Sequence, residues 1–501
     1  MRMQPQPDRS RDSDSILSQY RVMIKQERET KEHAPHSSTL IFVLDRLIFT
    51  DLLATVVCAP LAYGTVEAWS IALFELNALL LAVLLAGKLA LETEGKFRFH
   101  RVMLPLTTLV LLGVIQTVPF KSTTPSPAAP ENIPLAQLGP PTLSVDPAAT
   151  REATVKVLAL AVYFFVAVDA LGRRGRRQVT FNVITTLGFA LAVFAIIQRL
   201  TWNGRIYWVR PIAPELLAFG PFVNPNHFAG MMELILPLAF AYLLFARVDA
   251  ERRALWFFAA VMMAVSVVLS LSRGGMLALG VELLAFVVVA VSRGRWDAGR
   301  GPQLLATRGA LAPIAVSAIA IIALWVGYDQ VAARWRVIGQ GRSELSVAKR
   351  LEVWRDCWQM FREHPVWGVG LGAFPTAYPS YGRSSAQRER LEQAHNDYLQ
   401  LLTDGGLIGG VIGLWFLVEL IIAARRQWRE LAGAGSLEQS LTAGGYVAAL
   451  GLMVHSFTDF NLQITSNALL FLLVIALATP LDSASLAQST PQKNDPGPQS
   501  R

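Results

Sequence analysis

The feature that most constrains this chain is a succession of apolar segments, each long enough to cross the roughly 30 Å hydrocarbon core of a bilayer as a helix. With 53% hydrophobic and 16% charged residues over 501 positions, the chain is too apolar for a soluble protein of this length. It is predicted to be an all-α, polytopic integral membrane protein with about twelve transmembrane helices. The segments lie near 43–62, 70–91, 102–119, 153–171, 179–200, 227–246, 255–271, 274–292, 309–328, 399–424, 441–459 and 464–481.

Positive charges concentrate in alternate short connections between these segments, at 96–98, 173–177, 252–253, 293–295 and 425–426. Loops rich in arginine and lysine stay on the cytoplasmic side of a membrane. We therefore expect both chain termini in the cytoplasm and the intervening connections on the outer side. These loops account for most of the formal net charge of +8, so no nucleic-acid partner is predicted.

The apolar segments divide the chain into five regions. The first 39 residues lack the apolar core of a cleavable signal peptide and are expected to form a disordered cytoplasmic tail. One large outer loop separates two membrane domains, with nine helices before it and three after it. The predicted regions are 1–39 (N-terminal tail), 40–328 (membrane), 329–397 (outer loop), 398–481 (membrane) and 482–501 (disordered cytoplasmic tail).

The outer loop contains one amphipathic helix, predicted to start near residue 343 and to stop before Pro365. We expect this helix to lie on the membrane surface. Next comes a glycine-rich run at 364–375, which lacks the preceding strand of a nucleotide-binding fold and is interpreted as a tight packing turn. The apolar stripe of the helix follows steps of four and three residues, at Val347, Leu351, Trp354, Trp358 and Phe361.

His395 stands where the outer loop enters a glycine-rich apolar segment. A histidine can exchange a proton near neutral pH, so this residue is either a catalytic base or an ordinary histidine at a helix end. Asn396 and Asp397 follow it as helix caps or hydrogen-bond partners. His455 and Asp459, one helical turn apart, form a second outward-facing polar pair with a supporting role.

Arg273 lies between two apolar segments with almost no loop around it. A fully inserted arginine costs about 2.5–3.5 kcal/mol, which requires an explanation. The side chain either reaches towards lipid headgroups or binds an anion through its forked guanidinium. Gly274 and Gly275 permit close backbone approach at a helix start, where free N–H groups favour the same anion.

Two further arginines are predicted on the same side of the membrane. Arg210 precedes the segment that contains Asn224 and Asn226, which either bind substrate or form a turn around the intervening proline. Arg350 lies on the amphipathic loop helix, where a solvated charge is the alternative reading. Three arginines on one side would suit a metal-free site for a lipid-linked pyrophosphate.

Several other chemistries find no support. Cys58 and Cys357 form neither a CxxC motif nor a Cys/His cluster, so no disulfide framework or thiolate metal site is predicted. The sole Asp-x-Asp motif, at Asp12 and Asp14, lies in the cytoplasmic tail. With no Walker loop, zinc spacing or nucleophile elbow, we expect neither a metal nor another cofactor.

Taken together, these motifs resemble those of the O-antigen ligase and polymerase superfamily of bacterial envelope proteins. The resemblance covers roughly residues 200–481, and the segment at 60–69 is also similar. It rests on the order and spacing of Ser-Arg-Gly-Gly at 272–275, the stretch 350–354, the stretch 364–374, His-Asn at 395–396, and Gly-Gly-Leu-Ile-Gly at 405–409.

The resemblance implies a metal-independent, inverting glycosyltransferase of the bacterial inner membrane, with its active site facing the periplasm. The implied donor is an undecaprenyl-pyrophosphate-linked glycan, and the acceptor is a hydroxyl of lipid A core or of a second lipid-linked glycan. By position, Arg273 and Arg350 match the arginines that engage the diphosphate, Arg210 a further basic contact, and His395 the residue that activates the acceptor. Membrane lipids are the remaining expected partners.

Three functions stay open at this point. Ligase-type transfer is the first choice because the motifs are those shared across the superfamily. Polymerisation of O-antigen or exopolysaccharide repeats is the alternative. A polysaccharide or lipid transporter is a more distant one, since transporters place ionisable groups near the bilayer midplane in broken helices.

Overall fold

The computed structural model describes residues 36–92, 98–119, 142–212, 218–246, 249–294, 333, 347–382, 391–430 and 437–479. The predicted segment near 309–328, the tail 482–501 and most of the tail 1–39 lie outside these residues. The first helix begins at His36, ahead of the predicted boundary at residue 40.

Over the described residues the protein is a bundle of α-helices with one very short hairpin, which confirms the all-α prediction. Turns of 3-10 helix occupy Tyr378–Ser380 and Asn461–Gln463. The helices are α1 (His36–Leu61), α2 (Ala68–Leu91), α3 (Met103–Thr117), α4 (Pro147–Ala170), α5 (Arg174–Leu200), α6 (Pro225–Phe245), α7 (Ala250–Leu269), α8 (Arg273–Gly294), α9 (Val347–Glu363), α10 (Phe374–Ala377), α11 (Asp397–Glu430), α12 (Leu437–His455) and α13 (Thr465–Ala478); the hairpin is β1 (Arg205–Ile206) with β2 (Arg210–Pro211).

Six of the described helices, α2, α4, α5, α6, α7 and α11, are long and apolar enough to cross a membrane by length and composition. Helices α3 and α13 are apolar but shorter. The predicted segments near 43–62, 274–292 and 441–459 are helical, although they are not among the six. In α1 the charges of Asp45, Arg46 and Asp51 interrupt the apolar run. These findings support a multi-pass membrane protein.

The most buried helices form the centre of the bundle. Most of α6 and α12, and every residue of α13, are shielded from solvent by neighbouring helices. By contrast, α11 and α2 leave most of their apolar side chains on the outside. An apolar helix buried within the protein needs no lipid-facing surface, which is why α12 can carry glycine and polar residues along most of its length.

One end of the bundle, called here the upper end, gathers the α1–α2, α5–α6, α7–α8 and α12–α13 connections with the first turns of α4 and α11. Hydrogen bonds join these pieces directly. The Ser466 N–H donates to the Gly64 carbonyl, and the Asp397 N–H donates to the Ser456 carbonyl. The Tyr207 hydroxyl of the hairpin donates to the carbonyl of Leu61 at the end of α1.

At the opposite, lower end, ion pairs close the bundle. Lys88 Nζ lies 3.0 Å from a carboxylate oxygen of Asp45 and 2.6 Å from one of Asp169. Arg177, almost fully buried, lies 2.8 Å from Glu438 and donates to the Leu477 carbonyl. The arginine-rich segment 173–177, which predicted the cytoplasmic side, therefore also has a packing role that its charge alone did not indicate.

Helix α9 packs with a different face from the one predicted. Val353, Cys357 and Met360 are buried against the loop that follows, whereas Leu351 and Trp358 of the predicted stripe are about half exposed. Apolar residues thus occupy two adjacent faces of this helix. The periodicity of the sequence does not indicate which of the two faces packs against the rest of the protein. Its contact with the membrane surface stays a prediction.

The glycine-rich run after α9 is a packing turn, as predicted. Gly368, Gly370 and Gly372 all have positive φ, and the N–H groups of Val369 and Gly370 donate to the carbonyls of Thr403 and Asp404 in α11. Helix α11 is broken at this point, where Gly406 has φ 61° and ψ −155°. The turn fills the break, since the N–H groups of residues 407 and 408 donate to the carbonyls of residues 365 and 366.

Candidate active site

A buried carboxylate at the upper end lies between two imidazoles. Asp459, in the connection between α12 and α13, has its Oδ1 atom 3.5 Å from Nδ1 of His395 and 3.9 Å from Nε2 of His227. The Phe460 ring meets both imidazoles edge to face, with centroids 4.9 and 4.8 Å away. Three separate elements thus meet at this cluster: the connection after α12, the segment just before α11, and the first turn of α6.

The electrostatics of this cluster favour an ionised aspartate. Burial alone would raise the pKa of the Asp459 carboxyl, but His395, then His227 and His455, outweigh it and hold that pKa well below its usual range. The Phe460 N–H also donates to the carboxylate at 2.8 Å. His395 is the more accessible imidazole, with 19% of its side chain exposed against 9% for His227. An ionised carboxylate beside a partly exposed imidazole is the arrangement of a general base.

The residues after His395 fix its position. Asn396 caps α11, because its side-chain oxygen accepts from the N–H groups of residues 398 and 399. One Asp397 oxygen accepts from the Ser456 hydroxyl at 2.8 Å and from the Leu462 N–H at 3.2 Å. The backbone of His395 has φ 52°, an uncommon value for a residue other than glycine, and these contacts hold it there.

Arg273 is the first residue of α8 and its side chain is exposed at the upper end. Ser272 caps this helix, with its hydroxyl accepting from the Gly275 N–H. Gly274 lies directly against His455: an added Cβ would be 2.6 Å from its Nε2 atom and 2.6 Å from the Thr458 hydroxyl. Arg273 is therefore the neighbour of a glycine that contacts the α12–α13 connection, and this connection carries Asp459.

Arg210 is engaged elsewhere at the upper end. It lies on β2, forms an ion pair with Glu67 at 2.5 Å, and places its guanidinium 4.3 Å from the centre of the Tyr63 ring. Both partners belong to the segment 60–69, so the structure links the two stretches that resemble the superfamily. It does not bring Arg210 into contact with the histidine cluster.

Arg350 lies on α9, which contacts the residue next to His395. The buried face of that helix packs against Ala394, the neighbour of His395. The Nε atom of Arg350 and the indole nitrogen of Trp354, one turn apart, are buried and have no hydrogen-bond partner among the described residues. Both are N–H groups that an anionic or hydroxyl-rich ligand would satisfy.

The remaining predicted residues have structural roles in the present geometry. Asn224 caps α6 by accepting from the Asn226 N–H at 2.9 Å, and Asn226 is buried in that first turn. His455 pairs with Glu233 of α6 through Nδ1, at 2.9 and 3.1 Å from the two carboxylate oxygens. The structural alternative given for the asparagines thus accounts for their placement, and a substrate contact remains a proposal.

Two participants were missed from the sequence: His227 and Glu233. His227 lies in the quoted run 219–228 without having been singled out, and Glu233 is the sole charged residue of α6. An ionisable residue inside an apolar segment is costly unless it is paired, and that rule alone could have selected Glu233. Nothing local distinguishes His227, because its partner is more than 200 residues away in the chain.

No three His, Cys, Asp or Glu side chains within the described residues are grouped so that they could hold a metal ion. The residues present instead supply a carboxylate–imidazole pair, a second imidazole, and two arginines whose elements border the cluster. These groups suit proton transfer next to an anionic substrate.

Comparison with known proteins gives one family assignment. A family model described as O-Antigen ligase matches residues 258–414, a segment that contains Arg273, Arg350 and His395. No sequence among the curated proteins matches the chain. The resemblance predicted from the motifs is confirmed over this segment, which is similar to the O-antigen ligase family.

Proposed function

We propose that the protein transfers a glycan from undecaprenyl pyrophosphate to an acceptor hydroxyl at the upper end of the bundle. The observation that carries this proposal is the His395–Asp459 pair, which lies beside the exposed first turn of α8 in a chain whose residues 258–414 match the O-antigen ligase family. In this proposal the upper end faces the periplasm and the arginine-rich lower end faces the cytoplasm of a bacterial inner membrane, with about twelve spans.

His395 acts as the base. With Nδ1 turned to Asp459, its Nε2 atom is free to accept the proton of the acceptor hydroxyl. The hydroxyl oxygen forms the new bond to the anomeric carbon of the donor glycan while the bond from that carbon to the pyrophosphate oxygen breaks. Direct displacement inverts the anomeric carbon. The proton remains on His395, where Asp459 balances its charge, and undecaprenyl pyrophosphate departs as an anion.

The arginines replace a metal ion in this scheme. Pyrophosphate leaves as a stabilised anion, so guanidinium groups can neutralise it without a general acid. Arg273 is exposed and begins next to the cluster, and Arg350 approaches through the contact of α9 with Ala394. Arg210 contributes at a distance, or exchanges its bond to Glu67 for one to the donor.

Ligase-type transfer to lipid A core is the first proposal for the acceptor, and polymerisation of lipid-linked repeats is the alternative. Both use the same donor and base, so they differ in the hydroxyl that reaches Nε2 of His395. Analysis of cell-surface glycans after deletion of the gene separates them. Loss of polymer from lipid A core supports ligation, whereas single repeats on that core support polymerisation.

Two features that are typical of transporters do occur here. Helix α11 is broken at Gly406, and Glu282, deep in α8, is buried with neither side-chain oxygen bonded within the described residues. The break, however, is filled by the backbone of the turn at 365–368. These two segments are in direct contact, with no substrate-sized space between them. We therefore keep glycan transfer as the function, since the break has a packing role.

Transfer by the purified protein, reconstituted in bilayers with undecaprenyl-pyrophosphate-linked glycan and acceptor, tests this function. We expect His395→Ala to insert normally and to lose about 10²–10⁴ in rate, the usual contribution of a general base. We also expect transfer to persist in excess EDTA. Full activity of the alanine variant would remove His395 from the mechanism, and EDTA inhibition reversed by a divalent metal would contradict the role of the arginines.

A further inference from the structure

A fully buried carboxylate–imidazole pair lies directly beneath the first turn of α8. Nδ1 of His455 is 2.9 Å from one carboxylate oxygen of Glu233, and the two side chains are 0% and 1% exposed. Because Nδ1 faces both carboxylate oxygens, it carries a hydrogen, and the pair joins the end of α12 to the interior of α6. The scheme of glycan transfer described above does not use this pair.

Gly274 and Gly275 let α8 rest on the pair. A Cβ at Gly274 would lie 2.4 Å from the His455 ring carbon Cδ2, and one at Gly275 would lie 3.1 Å from Oε1 of Glu233. Only glycine fits at this contact without displacement of a buried ring. The positive end of the helix dipole also favours a carboxylate in that position, so charge and shape both hold the first turn of α8 in one place.

Arg273 is the residue before these glycines, and its side chain has no hydrogen bond or ion pair with the described residues. The backbone of that turn therefore sets the point from which the side chain starts. We propose that the Glu233–His455 pair is a positioning element for Arg273: it fixes the first turn of α8 so that the guanidinium meets the donor diphosphate. This inference rests on the proposed function.

Binding of inorganic pyrophosphate to the full-length protein in lipid nanodiscs, measured by calorimetry, tests the proposal. We expect Arg273→Ala and Gly274→Ala each to weaken binding about 10- to 100-fold, the value of one charge-assisted hydrogen bond. The double variant should bind no more weakly than Arg273→Ala alone, since a displaced guanidinium and an absent one are equivalent. Gly280→Ala is the matched control, because nothing lies within 4 Å of a Cβ there.

A second variant covers the case in which Gly274→Ala does not fold. Glu233→Gln keeps the volume and a hydrogen-bond acceptor but removes the charge. We expect it to weaken pyrophosphate binding in the wild-type background and to have no effect in the Arg273→Ala background. A purely stabilising pair would lower the melting temperature and leave pyrophosphate affinity unchanged, which would overturn the proposal.

The outcomes also separate this inference from the function on which it rests. If Arg273→Ala weakens pyrophosphate binding while Gly274→Ala and Glu233→Gln do not, only the positioning role is wrong. Independent, additive effects of Arg273 and Gly274 lead to the same conclusion. If Arg273→Ala binds pyrophosphate as tightly as the wild type, both the diphosphate role of Arg273 and the positioning role are wrong.

Discussion

At the scale of single residues, burial decides which side chains can do chemistry. Asp459 is buried beside two imidazoles and stays charged, whereas His395 keeps part of its ring accessible. Burial instead favours the uncharged form of His100, which lies at the lower end beside Phe164. Burial lowers the pKa of His100 to about 4, with Glu419 opposing the change, so this histidine is a neutral structural residue.

Asp459→Asn keeps the shape of the cluster but removes its charge. We expect transfer to fall about 10- to 100-fold, because the protonated His395 loses the nearby counter-charge that stabilises it. Rate measurements in reconstituted bilayers check this, with the exposed Asp249→Asn as control. An unchanged rate would mean that Asp459 has only a packing role.

His100 makes stability depend on pH. Its folded-state pKa, about 4, is below the unfolded value near 6.5, so between these values the unfolded chain binds more protons. The contribution of the neutral His100 to the free energy of unfolding is complete above about pH 6.5 and is lost as the pH falls towards about 4. We expect His100→Asn to flatten the fall in melting temperature over this window in detergent. The Val102 N–H donates to Nδ1 of His100, which supports the neutral state. Parallel curves of melting temperature against pH for the variant and the wild type would contradict it.

At the scale of elements, the site depends on a broken helix. Gly406 divides α11, and the turn after α9 fills the gap and ties α9 to the helical bundle. Gln116 of α3 reinforces this junction by donating to the carbonyls of Trp367 and Asp404 and accepting from the Leu371 N–H. The short first part of α11, which follows His395, is consequently held by residues from three parts of the chain.

Gly406→Ala should disrupt this junction. The backbone conformation of Gly406 is open almost only to glycine, and a Cβ would lie 2.4 Å from the Val366 carbonyl oxygen. We expect a destabilisation of about 2–4 kcal/mol from strain and overpacking, seen as a lower melting temperature in detergent. Gly87→Ala, where a Cβ meets nothing within 4 Å, should cause no loss. Equal melting temperatures of the two variants would show that the break can relax.

At the scale of the whole molecule, the two ends of the bundle have different roles. The upper end places histidines, a carboxylate and arginines around one connection, while the lower end is closed by buried ion pairs. The buried charges of the lower end have partners within the protein: Arg177 donates to Glu438 and to the carbonyls of Leu477 and Thr479. This junction anchors α5, α12 and α13, the last two of which flank Asp459.

Removal of one partner from the Arg177–Glu438 pair should destabilise the bundle strongly. Glu438→Ala leaves a buried arginine without its counter-charge, at a cost of about 3–5 kcal/mol. The melting temperature in detergent should therefore fall well below that of Asp249→Asn, which weakens an exposed pair with Arg252, keeps a side-chain oxygen to cap α7, and should change stability by at most about 0.5 kcal/mol. Replacing both Arg177 and Glu438 by apolar residues should recover part of the loss; no recovery would mean that the carbonyl contacts of Arg177 dominate.

The sequence by itself determined the all-α class, the approximate positions of the helices within the described residues, and the resemblance to the O-antigen ligase family, because apolar length, charge in loops and short motifs are local properties of the chain. It also placed His395, Arg273 and Arg350 in the segment that matches the family. Only the tertiary structure decided that Asp459 and His227 meet His395, that Glu233 pairs with His455, and which face of α9 is covered. Those contacts join residues far apart in the chain, and their energies come from burial and proximity, which no local pattern encodes.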